Sequence, residues 1–403
     1  MKTSIKNIFF ILFMCTLLDV NAATTNVNCT SGSPGVLSLA VTTAVPGTII
    51  NVSGTCHESI VITTDDLTLV GNSGGSKAII SGFFPADRIT VNGAARLAIT
   101  GFIIENGVFG LSATNNASLS VKDTEIRNNV IGADITNGSM ATFSGEVTIS
   151  GSHAFGLEVL TGSKLVIEEN AILNIVTNFL GSQIAVNSTL FVSTGAQVNA
   201  LNNTTLGLSI NTGSTGMLFN AKLHTDGNGL DGLDVVSSGN FEVDGESSVV
   251  SENNGRDGIS IDNSTLNLFG FFSTIKGFPN VVAHNNMGNG ILVESTSKLD
   301  VGRNASITAH HNGIAGIRLD DGSSALIQRS DVHSNNGFLP RNDAHEEDDD
   351  KNNDRPADIV VTFGSRISFN QNKDNAGDIE PNIVGLALCD KSSLSRGDVR
   401  CKH

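Results

Sequence analysis

One motif returns through this 403-residue chain at a nearly fixed interval. Asn254-Gly-Arg-Asp-Gly258-Ile-Ser-Ile261 precedes Leu266-Asn-Leu268, and Asn286-Met-Gly-Asn-Gly290-Ile-Leu-Val293 precedes Leu299-Asp-Val301. Asn312-Gly-Ile-Ala-Gly316-Ile-Arg-Leu319 then precedes Ala325-Leu-Ile327. The anchoring glycine falls at 110, 132, 156, 181, 207, 232, 258, 290, 316 and 385. Most of its intervals lie between 22 and 26 residues, as the positions show. Self-similarity at such a period marks a solenoid.

Within each unit the apolar residues alternate with period two, which makes them strands. Three residues after the glycine an apolar residue is regular (Ala113, Ile135, Val159, Ile184, Ile210, Val235, Ile261, Val293, Leu319, Leu388), and a second alternating pair follows. No stretch after the leader sustains a helical period, so leucine-rich repeats are excluded. The sequence predicts an all-β, single-stranded parallel β-helix of about 13 coils, with neighbouring strands roughly 4.8 Å apart. A second register precedes the glycine: Asn106, Asn128, Ser152, Thr177, Asn203, Asn228, Asn254, Asn286 and Asn312. Asparagine tolerates left-handed turns and bonds both backbone and a like residue one coil above, so this register reads as a ladder inside a turn.

Residues 1–22 read as a signal peptide: Lys2 and Lys6, an apolar run from Ile8 to Leu18, then Val20-Asn-Ala22. The β-helix domain is expected over 23–403, exported to the periplasm, the cell surface or the medium, with no later membrane span. The net charge of −16 argues against nucleic acid and anionic membranes. It also disfavours acidic polysaccharides unless a cation bridges them. Cysteines at the two ends read as disulfides, Cys29–Cys56 and Cys389–Cys401, closing edges that a solenoid must cap. Each bridge is worth roughly 3 kcal/mol by loop entropy. Tryptophan and tyrosine are absent, which argues against a high-affinity glycan platform, and most phenylalanines are expected to face inward.

Val45-Pro-Gly-Thr-Ile-Ile, then Gly54-Thr-Cys-His-Glu58, Leu67-Thr-Leu-Val-Gly71 and Ala78-Ile-Ile-Ser-Gly82 open the repeat region. In this order they resemble the first coils of the pectin lyase-like superfamily, and the Asn-x-x-x-Gly-Ile repeats resemble its β-helix repeats. The likeness covers about 36 to 327, plus a final coil near 385. It implies a right-handed solenoid. The superfamily holds lyases, hydrolases, esterases, tailspikes, adhesins and non-enzymes, so it implies no single activity. Its polygalacturonase signature is missing here: Thr225-Asp226 lacks the preceding Asn, Asp320-Asp321 sits in a turn context, and there is no Gly-His-Gly. The only Arg-x-Lys is Arg400-Cys-Lys402, in the expected cap.

Chemistry is expected on the outer face of the strand after each glycine, at positions −1, +2 and +4. That places Asp231 and Asp257, then Asp234, then Asp262, Glu294 and Asp320 on one side, with Arg318 nearby. The last three carboxylates, stacked on consecutive coils, read either as a solvated acidic stripe, as Ca²⁺ ligands, or with Arg318 as a catalytic set. His284 and His310 share an offset and are expected to stack, a weak candidate pair for a soft metal. Residues from about 340 to 358 form an acidic insertion, and the segment from Phe269 to Pro279 a longer turn in which Phe271, Phe272 and Phe278 fold back on the coil below. The function expected is a non-enzymatic scaffold binding a polysaccharide or surface protein, the alternative a calcium-assisted polysaccharide lyase or glycoside hydrolase.

Overall fold

In the computed structural model the chain is described at residues 23–29, 34–71, 75–82, 85–269, 278–302, 305–327, 330–333, 359–361, 365–369 and 383–385. Each turn carries three strands where the sequence showed two. Among the described residues they stack into three parallel sheets, the first of 13 strands, the second of 14 and the third of 12. The first sheet holds the strands at the anchoring glycine, such as Leu233–Val236 and Ile259–Asp262, and the second the alternating pair that follows, such as Thr265–Phe269. The third sheet, such as Lys222–Asp226 and Ser248–Glu252, ends just before the Asn turn. The third sheet escaped the sequence reading because its strands run almost directly into that turn. With 12 strands in the smallest sheet, complete turns are slightly fewer than the 13 expected.

Inward residues of all three sheets close one continuous apolar core. The +3 residues from Ala113 to Leu319 are all buried. Phe102, Phe143 and Phe241 fill the core, and Gly216 stands beside Phe241 in register, where a Cβ would strike the ring. Other phenylalanines do not follow the expectation: Phe179, Phe219 and Phe278 are exposed. Phe271 and Phe272 lie outside the described residues, as do the 340–358 insertion and the Cys389–Cys401 bridge. The last anchor is corrected. Ile383 pairs with Ile359, itself paired with Ile317, so Gly385 occupies the +3 position and not the glycine position.

The Asn register is a ladder, one residue displaced in three turns. Asn129, Asn178, Asn203, Asn228, Asn254, Asn286 and Asn312 are buried. Asn106, Asn128 and Thr177 are instead the left-handed residues one place earlier. From Asn178 to Asn286 each asparagine rung repeats one pattern: the backbone N–H and Nδ2 of Asn203 donate to Asn228 Oδ1 at 3.1 and 3.0 Å, and Nδ2 also donates to the Ile175 carbonyl. The anchoring glycine follows from this ladder. A Cβ on Gly156, Gly181 or Gly207 would collide with the next anchor's carbonyl oxygen and with a rung amide. A matching serine ladder, Ser139, Ser163, Ser188 and Ser214, joins the first and second sheets through hydroxyls accepting from the N–H one turn below.

The N-terminal end is closed by the Cys29–Cys56 disulfide and by a helix, Val36–Thr43, that no sequence period announced. Leu37 and Val41 cover the end of the core. Eight residues are too few to show a helical period. Glu58 holds the helix start: Oε1 accepts from the Leu37 N–H at 3.1 Å and Oε2 from the Ser38 N–H at 2.7 Å. A carboxylate there satisfies orphan donors and suits the helix dipole.

Candidate functional site

The outer side of the first sheet carries one residue per turn, two places after the glycine position. In register these are Ser112, Asp134, Glu158, Gln183, Ser209, Asp234, Ser260, Leu292 and Arg318. Glycine-led strands put them all on one face, because +1 and +3 point into the core. The row is recessed: Asp134, Glu158 and Asp234 are only 7–8% exposed. These three carboxyls are therefore largely shielded from solvent.

Recession raises their proton affinity. Burial, with the Asp87 charge adding and the Ser112 hydroxyl opposing, lifts Asp134 to about 6. Burial and the neighbouring Asp134 lift Glu158 to about 7. Burial and Asp231 lift Asp234 to about 6, against the Ser209 hydroxyl that donates to it at 3.2 Å. Adjacent like charges with little water cannot both ionise cheaply. Asp134 and Glu158 thus form a coupled pair on neighbouring strands. Beside them, at the start of the same strands, stand half-buried Phe109, Ile131, Phe155 and Leu180. The sequence reading passed over this region, although the shared +2 offset marks Asp134 and Glu158 as neighbours.

The expected set further along is divided by the structure. Asp262 and Glu294 do stand side by side in register, both half-buried. Glu294 is pushed up by burial first, then by Asp262, Asp257 and Asp320. Asp320 is turned to Arg318, whose Nε donates to Oδ2 at 2.6 Å. Arg318 is therefore engaged before any substrate arrives. Asp231 and Asp257 are corrected from the outer face: both are buried in a turn. Arg256 pairs with Asp231 through Nε, at 2.7 Å, and Nη2. Asp257 Oδ1 accepts from the Asn289 amide at 2.8 Å, and the Asp257 N–H donates to Asp231 Oδ1 at 3.0 Å. These two acids are structural because charges this deep require partners.

His284 and His310 stack as expected, with ring centroids 4.9 Å apart and planes within 10°. The column extends beyond them. Asp226, Glu252, His284 and His310 share one register on the third sheet, and His224 lies two residues before Asp226. Among the described residues, two groups of three or more ligand-type side chains converge: Cys29, Cys56 and Glu58, whose cysteines form the disulfide, and His224, Asp226 and Glu252. Asp262, Glu294 and Asp320 do not form such a group.

No protein-family model matches the chain, and no curated protein sequence does. Solved structures do match. The mannuronan C-5 epimerase AlgE6 A-module of Azotobacter vinelandii aligns with a TM-score of 0.52 at 13% identity, over 82% of this chain and 93% of its own. The periplasmic alginate epimerase AlgG aligns at 0.44 and 14% identity, over 85% and 83%. The receptor-binding domain of the siphovirus 9NA tailspike aligns at 0.37 and 10%, over 88% and 77%. The first of these bears out the fold: the chain is a right-handed parallel β-helix.

Proposed function

We propose that the protein is exported and binds a polysaccharide chain along the outer side of the first sheet, over Asp134 and Glu158. The observation that carries this is the recessed carboxyl pair, raised to about 6 and about 7 with no cation among the causes. Such a pair can donate and accept hydrogen bonds at neutral pH, the chemistry that sugar hydroxyls need. Phe109 and Phe155 supply apolar faces in place of the missing tryptophan and tyrosine. A row repeating every strand also suits a ligand that is itself a repeating chain. The matching fold of a mannuronan epimerase, a protein acting on a polysaccharide by its name, agrees with a glycan ligand. The Cys29–Cys56 bridge agrees with export; no helix among the described residues is long and apolar enough to cross a membrane.

A neutral chain fits better than a uronate. The chain carries −16, and a uronate would meet the carboxyl row without a counter-ion unless Ca²⁺ bridged it, for which Asp262 and Glu294 are the placed pair. Affinity electrophoresis against neutral and uronate polysaccharides, with and without Ca²⁺, tests the reading. Retardation by a neutral glycan, lost in Asp134→Asn/Glu158→Gln, supports it. Retardation unchanged in that double variant, or none by any chain, defeats it.

A second reading is favoured by the same pair. Two neighbouring carboxyls with proton affinities raised towards neutrality suit a general acid and its partner in glycoside cleavage. Mass spectrometry of incubated glycans decides: oligosaccharides absent in Glu158→Gln make the protein a hydrolase or lyase. Products that vanish only in Asp262→Asn or Glu294→Gln return the chemistry to the calcium-assisted set with Asp320 and Arg318.

A further inference from the structure

The third sheet offers a different chemistry from the first. At one position of successive strands the register reads Leu201, Asp226, Glu252, His284, His310 and His333. His224 shares the face of Asp226, being two residues earlier on the same strand. Glu252 lies at the centre. Its Oε1 is 2.9 Å from His224 Nε2, and its Oε2 is 3.0 Å from His284 Nε2. One donor atom each from His224, Asp226 and Glu252 falls within 4.8 Å of the other two.

The surroundings orient these groups. The Asn285 amide lies 3.0 Å from His284 Nδ1. An amide N–H there makes Nδ1 the acceptor, so the ring proton sits on Nε2 and points at Glu252 Oε2. The Asn253 amide donates to Asp226 Oδ1 at 2.9 Å. Both carboxylates are thus steadied from the surrounding chain, Asp226 through Asn253 and Glu252 through His284. Metal-binding carboxylates and imidazoles are ordinarily steadied by such outer partners.

We propose that His224 Nε2, Asp226 and Glu252 Oε1 bind a divalent transition metal of the zinc class, with His284 as a positioning residue for Glu252. One imidazole and two carboxylates suit Zn²⁺ at about 2.0–2.2 Å per ligand. The imidazole selects against Ca²⁺ and Mg²⁺, which take oxygen ligands. All three ligands are half-buried, so the cluster has an open side for water or a ligand in the fourth position. Binding replaces the contact between His224 and Glu252 and needs no change in the backbone, since both strands are fixed by their sheet.

The test is a Zn²⁺ titration of metal-free full-length protein against a chromophoric chelator of micromolar affinity, in the presence of millimolar Ca²⁺. One Zn²⁺ per chain is expected at this cluster, unaffected by the Ca²⁺. His224→Ala and Glu252→Gln are each expected to weaken binding by about 100-fold or more, and His284→Ala by roughly 10–100-fold. Thermal melts establish that each variant is folded. The d–d spectrum of Co²⁺-loaded protein supplies a second readout, changing in His224→Ala and keeping its form in His284→Ala. His153→Ala, an exposed histidine on another turn, is expected to bind as the parent. Failure of the parent to take Zn²⁺ from the chelator overturns the proposal. So does parent-like affinity in a folded His224→Ala variant, or a loss confined to His310→Ala, which would move the metal to the stacked pair.

Discussion

Two faces of one solenoid carry their carboxylates in opposite ways. On the first sheet, Asp134 and Glu158 face out yet are recessed, have no cation to balance them, and hold protons near neutrality. On the third, Asp226 and Glu252 are half-exposed and meet imidazoles and amides. The strand spacing is the same on both. What differs is how far the neighbouring turns shield each row, and on the first sheet that shielding lifts the pKa of Asp134 and Glu158.

Arg256→Ala gives the largest break, because it turns a balanced acid into an unbalanced one. Asp231 is fully buried, so removing its guanidinium partner is expected to cost about 3–5 kcal/mol. Urea unfolding at neutral pH measures this. A loss under about 1 kcal/mol would mean that the first-sheet side tolerates unpaired acids generally.

Glu158→Gln probes the recessed pair with the opposite sign. The folded pKa of Glu158, about 7, lies above the ordinary glutamate value of 4.5. The favourable contribution is therefore complete below about pH 4.5 and is lost as pH rises through about 7. After discount for solvent screening, the parent should lose about 1–2 kcal/mol between pH 5 and pH 8.5, and the variant much less. Parallel curves for the two proteins would remove Glu158 from the site.

On the third sheet, Glu252→Ala should cost under about 1 kcal/mol in the absence of metal, since partly exposed ion pairs contribute little. A larger loss in chemical denaturation would show that this column is structural. The smallest effect belongs to Ser112→Ala. Its hydroxyl holds Asp134 down, so carboxyl-carbon NMR should find Asp134 titrating higher in the variant, by well under one unit, with stability nearly unchanged. No movement would detach Ser112 from the row.

Much of this was legible in the chain. A period near 25 gave the solenoid, and the +3 residues gave its core. The same offsets held unread information: Asp134 and Glu158 share the place of Asp234, and Asp226 and Glu252 share the place of His284 and His310. Asn128 and Thr177 misled because the left-handed residue and the buried rung are adjacent, and asparagine suits both. The capping helix was too short to show a period, whereas the third sheet alternates with period two (Val147 and Ile149, Leu173 and Ile175) but runs so close to the Asn turn that it escaped the reading.

Sequence alone determined that each turn repeats, which residues face inward, and that Cys29 and Cys56 lie where a bridge closes the end. It could do so because a parallel solenoid converts a linear interval directly into a neighbour one strand away. Only the tertiary structure decided which outward acids lose water. Asp231, Asp134 and Asp226 are the same residue type on the same solenoid. One is locked to an arginine, one has its pKa lifted to about 6 by burial, and one stands beside a histidine. Solvent access and the charges across a groove depend on the three-dimensional course of the turns, and no interval along the chain encodes that.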